Sequence, residues 1–165
     1  MKSAKTLGYD GRYKKLAPEV KSAFNLPFMT QYSAGRYWRK LTPAQQEKLV
    51  DAFTQLTIAT YANRFNGFKG EQFKVLGVDT PRPDRPETKL VRTELITSKG
   101  EHIQLDYLMR ETDKHWRIID IFAKGSISEL ATRRSEYSSA LGNRGFDGLM
   151  ATFEQRIADL RSTSS

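Results

Sequence analysis

The sequence predicts an α+β fold in which a curved antiparallel sheet of about four strands packs against helices from both chain ends, with an apolar cavity between. Three observations carry that prediction. Apolar side chains recur with helical spacing up to Phe65, the period changes to strict alternation after Gly70, and the helical period returns after Gly125. The chain of 165 residues holds no repeat and no linker, so residues 1–165 are expected to form a single domain.

In chain order, residues 1–11 read as a loose arm. Tyr13 to Phe24 reads as a short helix, with Pro18 early in it and Val20 and Phe24 one turn apart. Asn25 to Pro27 breaks it. Phe28 to Leu41 is expected to be helical. It sets Phe28, Tyr32, Tyr37 and Trp38 beside Arg36, Arg39 and Lys40, with Gly35 allowing close approach of another element. Thr42, Pro43 and Gln45 form a helix start: Thr42 as N-cap, Pro43 at the first helical position, Gln45 completing a capping box. That helix should run to about Phe65, with Leu49, Phe53, Leu56 and Thr60 in one stripe, and stop at Asn66-Gly67.

Gln72 to Asp79 is the first expected strand, and the proline-bearing stretch Thr80 to Glu87 a loop. Lys89 to Thr97 carries Val91, Thr93 and Leu95 on one face, and Ser98-Lys99-Gly100 turns the chain. Glu101 to Glu111 alternates, with Ile103, Leu105, Tyr107 and Met109 on one side. After Thr112-Asp113-Lys114, His115 to Ala123 returns with Ile119 and Ile121 set against Trp116, Ile118 and Phe122. Ser126 to Glu129 reads as a second capping box. A helix with Leu130, Arg134, Tyr137 and Leu141 in one stripe should end in a turn at Gly142 to Gly145. A last helix carries Phe146, Met150, Phe153, Ile157 and Leu160, and residues 161–165 read as a disordered tail.

The net charge of +8 favours acidic partners, but the cations are spread and no nucleic-acid motif accompanies them, so no nucleic-acid partner is expected. Absence of cysteine removes disulfide and thiol chemistry. The two histidines, His102 and His115, lack metal-ligand spacing, and no phosphate loop or nucleophile motif is present, so neither metal nor cofactor is expected. Asp120 shares its alternation with Trp116, Ile118 and Phe122. Asp120 as general base, with Tyr61 or Tyr107 as proton donor, defines an alternative reading as an enzyme acting on an apolar substrate. A basic interaction module with a filled core is a third.

The residues best support an apolar ligand site. Tyr32, Trp38, Phe53, Leu56, Tyr61 and Tyr137 from helices and Leu95, Leu105, Tyr107, Ile119 and Ile121 from strands are the candidate walls. Periodicity alone does not separate a lined pocket from a filled core. Arg134, inside an apolar helical stripe, either snorkels at the helix edge or meets an anionic head group.

The runs MTQYSAGRYWRKLTPAQQEKLVDAF, TYANRF, VRTEL, GEHIQLDYLMR, WRIIDIFAKGSISELATRRSEYSSAL and NRGFDGL resemble, in order, the MlaC family of periplasmic phospholipid-binding proteins, also called toluene-tolerance auxiliary proteins. LGYDGRYKKLAP, LDYLMR and ISELATRRSEY are most similar to its hopanoid-biosynthesis-associated HpnM branch. The resemblance implies a sheet partly like the cone of NTF2-like proteins, with extra helices and a cavity for acyl chains. It implies a non-enzymatic shuttle that moves a phospholipid or hopanoid between inner and outer membranes. The implied partners are an inner-membrane lipid transporter complex, an outer-membrane partner and, transiently, the membrane itself. It also implies a periplasmic location with the export signal removed.

Overall fold

The computed structural model describes residues 4–67 and 69–163, with the side chains of residues 4–6 left aside. The order is α1 (Ala4–Ala23), α2 (Leu26–Ala34), a 3-10 turn (Gly35–Lys40), α3 (Pro43–Arg64), then β1 (Gln72–Asp79), β2 (Thr88–Ile96), β3 (His102–Thr112), β4 (His115–Ala123), β5 (Ile127–Ser128), and α4 (Glu129–Ser162). The five strands form one sheet in the order β1-β2-β3-β4-β5, antiparallel throughout. The fold is therefore α+β, an open antiparallel sheet packed against helices from both chain ends.

Several sequence expectations are corrected. Residues 4–11 are helical rather than a loose arm: α1 starts at Ala4 and bends at Gly8, whose φ of 60° and ψ of −178° suit glycine. The helix is held there by packing, because Tyr9 is buried against Ala59 and Ala62 of α3 and Arg12 Nε donates to the Ala62 carbonyl at 2.8 Å. At the other end, Arg161 and Ser162 belong to α4 instead of a disordered tail. The outer parts of those expectations, residues 1–3 and 164–165, lie outside the described residues. The stretch Phe28 to Leu41 is not one helix, because Gly35 (φ 57°, ψ −134°) ends α2 and starts the 3-10 turn. Finally, the cap of α4 is Ser128, not Ser126: its Oγ accepts from Ala131 N at 2.8 Å. The sheet likewise gains a short fifth strand, β5, on the free edge of β4.

Other starts and stops follow local chemistry. Thr42 and Gln45 form the reciprocal capping box, Thr42 Oγ1 accepting from Gln45 N at 3.2 Å and Gln45 Oε1 from Thr42 N at 3.0 Å. The α4 helix changes direction at Gly145 (φ 69°, ψ −171°), a conformation almost reserved for glycine, so the expected two-helix division survives as a kink.

The core lies among the helices. Leu49, Phe53, Ile58, Leu149 and Phe153 are almost wholly buried, and Tyr137 meets Phe153 edge-on at 4.8 Å. Helices meet the sheet chiefly at β4, where Ile118 and Ile121 pack into that core. A bulge makes this possible: β4 spends Ile119 as an extra residue between Leu108 and Met109 of β3, which brings Ile118 and Ile121 onto one packing surface. Asn25 N also donates to the Ile118 carbonyl at 2.9 Å, tying the α1–α2 joint to the same strand.

Candidate functional site

A hollow of about 550 Å³ lies between α3 and α4. Its floor is apolar, with Phe53, Leu56, Tyr137 and Leu160, while β5 contributes Ile127. Its rim is charged. Arg64 bridges to Glu129 at 3.3 Å, Arg133 to the same carboxylate at 3.5 Å, and Arg156 to Glu136 at 3.2 Å. The Arg133 guanidinium also lies 5.3 Å from the centre of the Phe53 ring. An apolar trough with cations above it suits a molecule that is apolar along its length and anionic at one end.

The sheet presents a second apolar surface. Register sets Val78, Val91, Tyr107 and Ile121 in one row, and Phe73, Leu95 and Ile103 in a parallel row on the same face. At the β4 end this face is covered by helices. At the β1 end it is uncovered: Phe73, Val75 and Val78 are 54%, 63% and 59% exposed. Aromatic rings mark the transition. Tyr107 meets Phe73 edge-on at 6.2 Å, and Tyr61 stacks on the exposed Phe65 at 6.0 Å while touching Phe24 at 5.5 Å. Burial is the main cause that raises the pKa of both Tyr61 and Tyr107, and Tyr107 adds to the shift of Tyr61, while Arg64 opposes and Glu129 supports each shift. The two phenols stand near the arginine rim, neutral at physiological pH as unshifted phenols already are.

The sequence-expected site residues divide into separate places. Phe53, Leu56 and Tyr137 line the trough, with Phe53 and Tyr137 almost wholly buried in its floor. Tyr61 and Tyr107 flank its sheet side. Leu105 and Ile121 pack into the helical core, Ile119 is buried at the bulge, and Leu95 is half-buried in the sheet beyond the helices. Tyr32, Trp38 and Arg134 come together elsewhere, in a second hollow of about 520 Å³ formed with Phe28, Arg36 and Arg39. Arg134 and the trough residues Thr132 and Glu136 point to opposite flanks of α4, as two residues of helical rotation require. Sequence reasoning missed the rim residues Arg64, Arg133 and Arg156. The available signal was the Glu129–Arg133 spacing of one helical turn.

The remaining polar candidates have structural duties. Asp120 Oδ1 accepts from Ile121 N at 2.7 Å and Leu130 N at 3.0 Å, and Oδ2 from Ser128 Oγ at 2.6 Å. This carboxylate, 7% exposed, fastens the start of α4 to β4, so both oxygens are engaged. Asp106 accepts from Thr93 N at 3.2 Å and from Gln104 Nε2 at 2.8 Å, while the Thr93 hydroxyl donates to the Leu105 carbonyl. His102 Nδ1 lies 2.8 Å from Glu94.

Fold and trough together define a class: an open-sheet α+β protein whose helices hold an amphipathic cleft. The chain belongs to the MlaC protein family, whose family model matches residues 1–155. Its fold is similar to that of the phospholipid-binding protein from Ralstonia solanacearum, solved in complex with a phospholipid. The TM-score is 0.81 at 23% sequence identity, over 96% of this chain and 87% of that one.

Proposed function

We propose that this protein binds a phospholipid in the trough between α3 and α4 and along the uncovered sheet face, and carries it through the periplasm between the inner and outer membranes without covalent chemistry. The observation that carries this reading is the apolar floor at Phe53, Leu56 and Tyr137 under an arginine rim, in a molecule that also leaves Phe73, Val75 and Val78 of the sheet uncovered. Family membership and the fold shared with a phospholipid-binding protein support it. Acyl chains lie on these apolar surfaces, and each methylene removed from water contributes about 0.8 kcal/mol toward the cost of leaving a bilayer. The head-group phosphate sits at Arg64 and Arg133, whose bridges to Glu129 open to receive it. Tyr61 and Tyr107, neutral as phenols are at physiological pH, donate hydrogen bonds there without repelling the phosphate. An inner-membrane transporter complex and an outer-membrane partner supply and receive the lipid. Asp120 has no part in catalysis on this reading, because its oxygens hold α4.

Native mass spectrometry of protein purified from a Gram-negative host, followed by solvent extraction, tests the reading. One phospholipid per chain is expected. A hopanoid in its place would change the cargo, and an apo mass that persists after incubation with vesicles of either lipid would remove the carrier function.

A further inference from the structure

On the flank of α4 away from the trough, cations and aromatic rings alternate. The Arg110 guanidinium lies 4.5 Å from the centre of the Phe28 ring, Phe28 meets Tyr32 at 6.2 Å, and Arg134 covers Tyr32 at 4.6 Å. Beside this ladder, Arg36 and Lys40 lie 5.1 and 5.4 Å from the centre of the Tyr37 ring. Trp38, half-buried, completes the hollow. No Asp or Glu occurs between Glu19 and Glu47, and among the described residues none of these cations joins an ion pair.

A second observation points the same way. Arg110 and Arg117 are direct cross-strand partners, two like charges in the least favourable placement. The Nε of each is buried and without a hydrogen-bond acceptor. The repulsion between the two charges is lowered by an anion held at the surface beside them.

We propose that this face, from Arg110 through Phe28 and Tyr32 to Arg134 and Arg36, is a docking surface for an anionic lipid bilayer. Tyrosine and tryptophan with an apolar body and a polar tip are at home at head-group depth, and arginine forks match phosphodiester oxygens. Three polyanions compete for such a surface, and the rings decide among them. A stacked nucleic acid needs free ring faces, but the faces of Phe28 and Tyr32 are covered by guanidinium groups. An acidic protein needs a desolvated apolar centre, whereas the outermost groups here are charged. A phosphate layer needs only the outward cations and the amphipathic rings beneath them. This proposal deepens the carrier reading by assigning the face that meets the membrane, and it uses none of the trough residues.

Vesicle co-sedimentation of the full chain tests it, with phosphatidylcholine alone and with added phosphatidylglycerol, at low and high salt. Binding to the anionic vesicles only, weakened by salt, is expected. The double variant R36E/R134E should bind at least roughly 25-fold more weakly, about fivefold for each arginine lost. The charge-matched control K74E/K99E, on the sheet wing and its turn, should retain binding. Equal losses in both variants would reduce the effect to net charge and overturn the assignment. So would equal binding to neutral vesicles, equal affinity for a DNA duplex, or no vesicle binding at all. Unchanged melting curves for R36E/R134E secure the comparison. Lipid extraction from the same preparations keeps the two readings apart, since a cargo-free protein that still docks through this face would remove the carrier function alone.

Discussion

The helical half and the β1–β2 wing use the same apolar residue types to opposite ends. Phe53 and Phe153 are each 1% exposed, whereas Phe73 is 54% exposed and its neighbour Val75 63%. The difference arises from coverage. Helices reach β4 and stop, so the sheet face that packs at Ile121 runs on uncovered to Val78. Apolar area in the helical half contributes to stability. The wing contributes almost nothing to it until something covers the face, which makes the wing the part of the molecule with apolar surface left for a ligand.

Truncations can break this contrast, and the largest effect belongs to the helical core. Phe153→Ala should cost about 3–5 kcal/mol, read as a lowered midpoint in chemical denaturation. A cost as small as that of a wing substitution would mean the core is not where the structure puts it. Asp120→Ala tests the joint between the halves. It leaves Ser128 Oγ and Leu130 N without their acceptor and should cost about 2–3 kcal/mol, with the start of α4 losing amide-exchange protection first.

Alkaline titration sharpens the contrast without mutation. Burial raises the pKa of Tyr9, Tyr13, Tyr61 and Tyr137 in the helical half and of Tyr107 at the edge of the wing above the usual 10.0. Above that pH the unfolded chain ionises these phenols while the folded chain holds their protons. The unfolded state then binds fewer protons, so stability is unaffected below about pH 10 and falls as pH rises toward the folded values. Tyrosinate absorbance should rise together with loss of helical circular dichroism, and phenols that titrate freely in a still-folded chain would contradict their burial. The smallest stability effect should come from F73S/V75S on the wing, within about 0.5 kcal/mol. The same variant should reduce lipid recovered on extraction, and full lipid occupancy would separate the wing from the site.

Local sequence chemistry determined much of this fold visibly. The capping box at Thr42 and Gln45, the turn after Thr112 and the break at Gly145 depend on near neighbours, and each stands where the residues place it. The start of α1 was not legible, because glycines and lysines hide a helix that exists through Tyr9 and Arg12 packing on α3. The cap at Ser128 was displaced from Ser126 because Asp120, eight residues upstream, takes the Ser128 hydroxyl into its own network. In the site, alternation placed Leu95, Tyr107 and Ile121 on faces but said nothing of depth, which depends on where the helices end. That is why Leu105 and Ile121 proved to be core, while Phe73 and Val78, never singled out as walls, line the open face.

The hydrogen bond from Asn25 to Ile118 has a consequence for how the chain is made. The α1–α2 joint leaves the ribosome roughly ninety residues before the strand that fixes it, a wait of roughly 5–20 seconds at ordinary elongation rates. Through that interval Phe24, Leu26 and Met29 have no sheet to cover them. Topology thus leaves the joint between α1 and α2 without its strand partner until β4 has emerged, and only the packing of α1 and α2 on α3 can hold it before then.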